Sequence, residues 1–222
     1  MSETQDLVLN PKKTPLYYVA AVLISGVAKL LFRPSVEGAE NIPLSGPVLI
    51  APIHRSNVDF AFTLFISPRK VFFMAKDGLY NHPLFGKLLV RLGAFPVNRD
   101  AADRESMRLA EEVLRRGQAL VLFPEGTRKF GPDVEPLHDG AMFIAARTGA
   151  TVVPVGIAGS DKALGHGAKF PRFAKIHIVV GKPIAPPVSD GRVSRSQISA
   201  KTEELRVALE AAYATARSRE RH

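Results

Sequence analysis

Hydrophobic and polar positions along this chain fall into blocks whose period changes. Residues 48–53 (Val-Leu-Ile-Ala-Pro-Ile) form a short unbroken apolar run, as expected of a strand covered on both faces. Runs of the same kind, with β-branched and aromatic content, recur at 71–75, 94–97, 119–123, 151–157 and 175–180, and a shorter one at 35–37. Between them the period lengthens. Residues 84–92 put Leu84, Phe85, Leu88, Leu89 and Leu92 on one helical face and Lys87 and Arg91 on the other. That helix either covers a sheet or turns its apolar face to a membrane. Residues 103–116 predict a helix stopped by Gly117, residues 141–147 another, and residues 195–217 a last one. Strands alternating with helices predict a single α/β domain over residues 33–222, with a mainly parallel central sheet flanked by helices.

The N-terminal 32 residues stand apart from that pattern. The first ten are polar and read as flexible. Residues 16–32 are apolar, broken by Ser25, Gly26 and Lys29, and predict a membrane-associating helix. Its 17 residues would span about 25 Å, short of a bilayer core of roughly 30 Å. Lys12 and Lys13 precede it and Arg33 follows it, so charge gives no orientation. No small-residue cleavage site follows, which argues against a removed signal peptide. An interfacial helix, a marginal span and an ordinary core helix all fit this stretch.

Composition narrows the chemistry. The chain has 222 residues, 46% of them apolar, enough for one sizeable core. It has no cysteine, which excludes disulfides, thiolate nucleophiles and cysteine-bound zinc, and suits a reducing compartment. The formal charge of +9 predicts attraction to polyanions: nucleic acid, an anionic membrane surface or phosphorylated small molecules. Nucleic acid is disfavoured, because the chain lacks a Cys/His finger, a ribonucleoprotein-type aromatic motif and a long basic helix. There is no internal repeat or low-complexity tract.

The candidate chemistry follows the 48–53 run, in His54-Arg-Ser-Asn-Val-Asp59. A histidine and an aspartate can act as a base and its orienter. On one continuous helix these two would lie roughly 140° apart and could not meet. Pro52 disfavours helix before them, and Ser56 and Asn57 are suitable N-caps for a helix starting near Val58. His54 would then sit at a strand end and Asp59 in the first helical turn. Alone, the pair reads first as a surface loop histidine beside a helix-capping acid. Yet polar residues recur where the apolar runs stop: His54, Lys76, Arg99, Glu125 and Arg128. In open α/β sheets, sites form at such ends. Two arginines and a lysine there suit a phosphate ester, and a neutral histidine beside them could deprotonate a hydroxyl. His138 is a rival base in principle, without an apolar strand to deliver it.

His54 to Asp59, Gly93 to Arg99, Phe123 to Arg128 (Phe-Pro-Glu-Gly-Thr-Arg) and Val153 to Gly156 occur in the order and approximate spacing of the four motifs of the glycerolipid acyltransferases. Over residues 30–185 the chain resembles the 1-acylglycerol-3-phosphate acyltransferases in particular. That resemblance implies His54 as general base and Asp59 as its orienter. It implies Arg99 and Arg128 on the acceptor phosphate, with Lys76 as a helper. Glu125, Gly126 and Thr127 would belong to the acceptor site, and Pro154 would pack near the acyl donor. No metal or prosthetic group is implied. The co-substrate would be an acyl thioester, acyl-CoA or acyl carrier protein. The acceptor would be lysophosphatidic acid, and the product phosphatidic acid. The enzyme would sit peripherally on the cytoplasmic face of the cell membrane, held to anionic phospholipid. Glycerol-3-phosphate or another lysophospholipid is an alternative acceptor, and a non-catalytic lipid- or polyanion-binding protein an alternative class. Asn98 stands where an acid is common in the second motif, and Leu137-His-Asp-Gly140 replaces a segment that is often more basic.

Overall fold

The computed structural model describes residues 15–97, 104–165, 167–168, 170–189 and 192–220. Its frame is a sheet of seven strands: β1 (Ser35–Glu37), β2 (Val48–Pro52), β3 (Val71–Lys76), β4 (Ala94–Val97), β5 (Ala119–Val121), β6 (Thr151–Ala158) and β7 (His177–Val180). They lie in the order β1-β7-β6-β2-β5-β3-β4. Every neighbouring pair is parallel except β6–β7. The helices are α1 (Pro15–Phe32), α2 (Asp59–Phe62), α3 (Pro83–Arg91), α4 (Arg104–Arg115), α5 (Gly140–Thr148), α6 (Ser160–Ala163) and α7 (Arg195–Glu220). The expected α/β architecture with a mainly parallel sheet is therefore present.

β2 lies at the centre, and all five of its residues are buried. Its side chains alternate between two cores, as the strand period requires. Val48 and Ile50 face a cluster with Ile53, Phe62 and Phe32, while Leu49 and Ala51 face a cluster with Phe72, Leu114 and Ile144. α1 and α2 cover the first side, and α4 and α5 the second. The carboxyl ends of β2, β3, β5 and β6 all point to one edge of the molecule, where the candidate residues gather.

Three elements refine the expectation. The apolar stripe of α3 is not buried as one face. Val90 is buried, whereas Leu84 is 74% exposed and Leu88 is 39% exposed. Leu89 and Leu92 line a cavity, so only part of the stripe finds a partner in the sheet. Second, α1 is not an ordinary core helix, since most of its apolar residues face outward. It is long and apolar enough to cross a membrane by length and composition. Third, the carboxyl end of α1 packs into the core beside the start of the sheet. Ala28 and Phe32 enter the core, and the Phe32 ring meets Phe62 edge-on at 5.6 Å. At the other end of the helix the Tyr17 hydroxyl accepts the Val71 N–H at 3.0 Å. Beside it the Lys70 ammonium stands 5.4 Å from the Tyr17 ring and 4.8 Å from the Phe72 ring, and burial pushes its pKa down.

Candidate active site

Beyond β2 the chain runs through Ile53 into His54 and then turns. The reversal is built on Asp59, the first residue of α2. Its Oδ2 accepts the backbone N–H groups of Arg55 and Ser56, each at 2.7 Å, and pairs with His54 Nδ1 at 3.0 Å. The expected N-capping by Ser56 or Asn57 does not occur, because the cap position is Val58 and no side chain caps it. Ser56 Oγ instead accepts the Val58 N–H at 3.3 Å and donates to the Leu164 carbonyl at 2.7 Å. Asp59 is fully buried, His54 is nearly so, and the helix start favours the carboxylate's negative charge. With Nδ1 donating to Asp59, the tautomer leaves Nε2 as the acceptor. The Phe123 ring stacks on the imidazole, centroids 4.0 Å apart and planes 25° apart, and fixes its tilt.

The Phe123–Arg128 segment forms the second half of the site. It is tied to the first half by a buried ion pair that sequence reasoning missed. Arg55 Nη1 donates to Glu125 Oε2 at 2.8 Å and to Oε1 at 3.0 Å, with both side chains essentially inaccessible. Glu125 Oε2 also accepts the His54 N–H at 3.0 Å, and Lys129 N–H donates to the His54 carbonyl at 2.9 Å. Arg55 Nη2 reaches the Asp133 carbonyl at 2.7 Å, and its guanidinium lies 5.3 Å from the Tyr213 ring centroid on α7. Burial pushes the Tyr213 hydroxyl pKa up, and Arg55 beside it opposes that shift. Glu125, expected among the substrate contacts, thus faces inward and shapes the site from beneath. Gly126 is in the left-handed region at φ 72°, and a Cβ there would lie 2.9 Å from the His138 ring. Only glycine suits both the turn and that close approach. Gly126 and Thr127 are exposed on the turn, outside the cavity lining. His138, the rival base, lies over Gly126 on the outer side and does not line the cavity either.

The cavity holds about 720 Å³. Its wall is apolar: Tyr17, Ala20, Ala21 and Ile24 from α1, Phe60 and Leu64 after the turn, Phe73 and Met74 from β3, and Leu89 and Leu92 near the end of α3. Among its polar lining residues are His54, Asn57, Lys76 and Arg128. The expected cluster of His54, Lys76 and Arg128 is therefore gathered around one cavity, while Arg99 and Asn98 lie outside the described residues. Pro154, expected near an acyl donor, is paired with Ala51 inside the sheet and is absent from the cavity lining. Gly156 of the same motif has a packing role. A Cβ on Gly156 would come within 2.4 Å of the Ala212 backbone, so glycine lets α7 press against β6. Among the described residues, no cluster of three His, Asp or Glu side chains could hold a metal ion.

Such a geometry offers a base held by a carboxylate, an apolar cavity for a chain and two cations for an anionic group. Comparison with known proteins agrees with it. The acyltransferase family model matches residues 33–158. A chloroplastic 1-acyl-sn-glycerol-3-phosphate acyltransferase of Arabidopsis thaliana is 27% identical over 183 residues, 80% of this chain and 51% of that protein. The 1-acyl-sn-glycerol-3-phosphate acyltransferase of Bacillus subtilis is 28% identical over 191 residues, 86% of this chain and 93% of that protein. The chain spans about half the length of the plant relatives it matches. The crystal structure of the 1-acyl-sn-glycerophosphate acyltransferase PlsC from Thermotoga maritima superposes with a TM-score of 0.73 at 25% identity, covering 88% of this chain and 78% of that one. Since the family model covers more than half of the chain and spans both the His54–Asp59 turn and the Phe123–Arg128 segment, this chain belongs to the acyltransferase family.

Proposed function

We propose that this protein moves an acyl chain from a thioester, on coenzyme A or acyl carrier protein, to the free hydroxyl of lysophosphatidic acid, forming phosphatidic acid. The observation that carries this reading is the His54–Asp59 pair at the wall of an apolar cavity that Lys76 and Arg128 also line. His54 Nε2 takes the hydroxyl proton as the oxygen attacks the thioester carbonyl. Asp59 holds the tautomer and stabilises the imidazolium. The tetrahedral intermediate collapses, the ester C–O bond stays, the C–S bond breaks, and the thiolate takes the proton from His54. The hydroxyl attacks directly, so no acyl-enzyme is needed. Ser56, buried and donating to Leu164, is poorly placed to be a nucleophile. Arg128, with Lys76, holds the acceptor phosphate. The apolar outer face of α1 and the net charge of +9 support association with an anionic membrane surface, where such an acceptor resides.

The phosphate assignment is tested by two acceptors that differ only in that group. Wild-type protein should prefer lysophosphatidic acid over monoacylglycerol, because charge-assisted hydrogen bonds of about 1.5–3 kcal/mol give roughly 10- to 150-fold per contact. Arg128→Ala should lose most activity on lysophosphatidic acid and little on monoacylglycerol, so that the two converge. Arg128→Lys should restore only part, since an ammonium lacks the bidentate fork. Equal proportional loss on both acceptors would remove Arg128 from the phosphate site. Faster turnover of glycerol-3-phosphate than of lysophosphatidic acid would change the acceptor class.

A further inference from the structure

We propose that the loop between β6 and β7 is a second point of membrane insertion, separate from α1, seated in the headgroup region of an anionic phospholipid bilayer. This rests on the membrane reading given above and deepens it. Among the described residues, the most exposed large hydrophobic side chains are Phe173 at 81%, Val188 at 80% and Phe170 at 79%. Two large rings left in water three residues apart call for a covering surface.

The chemistry around them selects the cover. Between residues 160 and 176 the sequence holds four Lys and Arg residues against a single acid, Asp161; of the described ones, Lys162 is paired with Glu220 at 2.6 Å, and Arg172 and Lys175 lie beside the rings. The stretch Phe170-Pro-Arg-Phe-Ala-Lys175 interleaves rings with cations, and Arg172 and Lys175 are both exposed. Rings at the acyl boundary with cations among phosphates are the arrangement of an interfacial anchor. A polybasic segment gains further from the negative surface potential of anionic lipid. Among its described residues the loop's one helix is the four-residue α6, so it would insert by side chains alone.

The loop's position makes it useful. At one end Ile176 N–H donates to the Phe32 carbonyl at 3.1 Å, and Ser35 N–H donates to the Ile176 carbonyl at 2.9 Å. These bonds stitch the loop to the carboxyl end of α1, where Lys29 and Arg33 are exposed. Arg33 adopts a left-handed φ of 39°, unusual for a side-chain-bearing residue, where glycine would close the helix without strain. At the other end the Leu164 carbonyl accepts Ser56 Oγ, two residues from the base. Two anchors on either side of the turn fix the orientation of the site toward the bilayer, which one helix, free to roll about its axis, would leave open.

The chain has no tryptophan, so a single introduced indole reports its own surroundings. Phe173→Trp and Phe170→Trp in the full-length protein, mixed with vesicles of phosphatidylglycerol and phosphatidylcholine, should shift their emission to the blue and be quenched by brominated lipid. Phe143→Trp, on α5 across the sheet from α1, should do neither. In sedimentation with the same vesicles, Phe170→Ser/Phe173→Ser should bind about tenfold or more weakly than wild type. Its turnover on a monodisperse, short-chain acceptor should stay at the wild-type level. If wild type binds vesicles while the double variant binds equally well and the indoles stay unshifted, the loop proposal falls and the role of α1 stands. If wild type binds no vesicle at all, the membrane reading itself falls. A blue shift that grows with protein concentration and without lipid would overturn the proposal in favour of a second copy of the chain.

Discussion

His54 and Asp59 were legible as a pair because both ends of their interaction lie within one turn of sequence, after an apolar run that could only be a buried strand. Arg55, between them, was not. A lone arginine in a polar segment reads as a solvated surface residue, and its partner Glu125 is 70 positions away. Nothing local announces that such a pair will be buried. The consequence is a prediction about stability rather than substrate contact. Glu125→Ala leaves the Arg55 guanidinium buried beside an empty site and frees the His54 backbone N–H. Removing one partner of a buried ion pair costs about 3–5 kcal/mol. Urea denaturation should show a loss of that size for Glu125→Ala, and Arg55→Ala/Glu125→Ala should cost less than the two single changes added together. A fully additive double variant, or a Glu125→Ala variant as stable as wild type, would return Glu125 to the substrate-binding surface.

At the level of elements, helices and strands followed the periodicity closely, while their contacts did not. The stretch at 16–32 read as a helix but not as a wall of the cavity, because side chains such as Ala20, Ala21 and Ile24 look the same whether they face lipid or a substrate. Likewise the stripe on α3 predicted an amphipathic helix and could not say that Leu84 would stay exposed while Leu89 and Leu92 turn to the cavity. Docking of α1 can be tested at its start. Tyr17→Phe removes only the hydroxyl that accepts the Val71 N–H, leaving a buried donor unpaired. That should cost about 1–3 kcal/mol in a chemical melt and raise the hydrogen-exchange rate at Val71. Unchanged protection at Val71 would mean that α1 is not held to the sheet through this bond. By the same packing, removal of Pro15–Phe32 would open the cavity along α1 and uncover Phe62.

Over the whole molecule, an α/β fold with a site at the strand ends followed from the order of the apolar runs. The antiparallel entry of β7 between β1 and β6 did not, because a strand of four residues carries no signal of its direction. That reversal brings the β6–β7 loop and the start of β1 to the same edge as His54, so the end of α1, the loop and His54 share one end of the sheet. A cavity walled by α1 and opening beside a fixed imidazole has room for an acyl chain. The central claim is that His54, oriented by Asp59, is the base for acyl transfer to a lysophospholipid hydroxyl. Its most direct test follows phosphatidic acid by mass spectrometry, with purified wild-type and His54→Ala proteins given acyl-CoA and lysophosphatidic acid. Wild type should form phosphatidic acid, and His54→Ala should turn over about 10²- to 10⁴-fold more slowly with an unchanged melting curve. Near-normal turnover by a folded His54→Ala protein, or no phosphatidic acid from wild type with either acyl-CoA or acyl carrier protein as donor, would contradict the account.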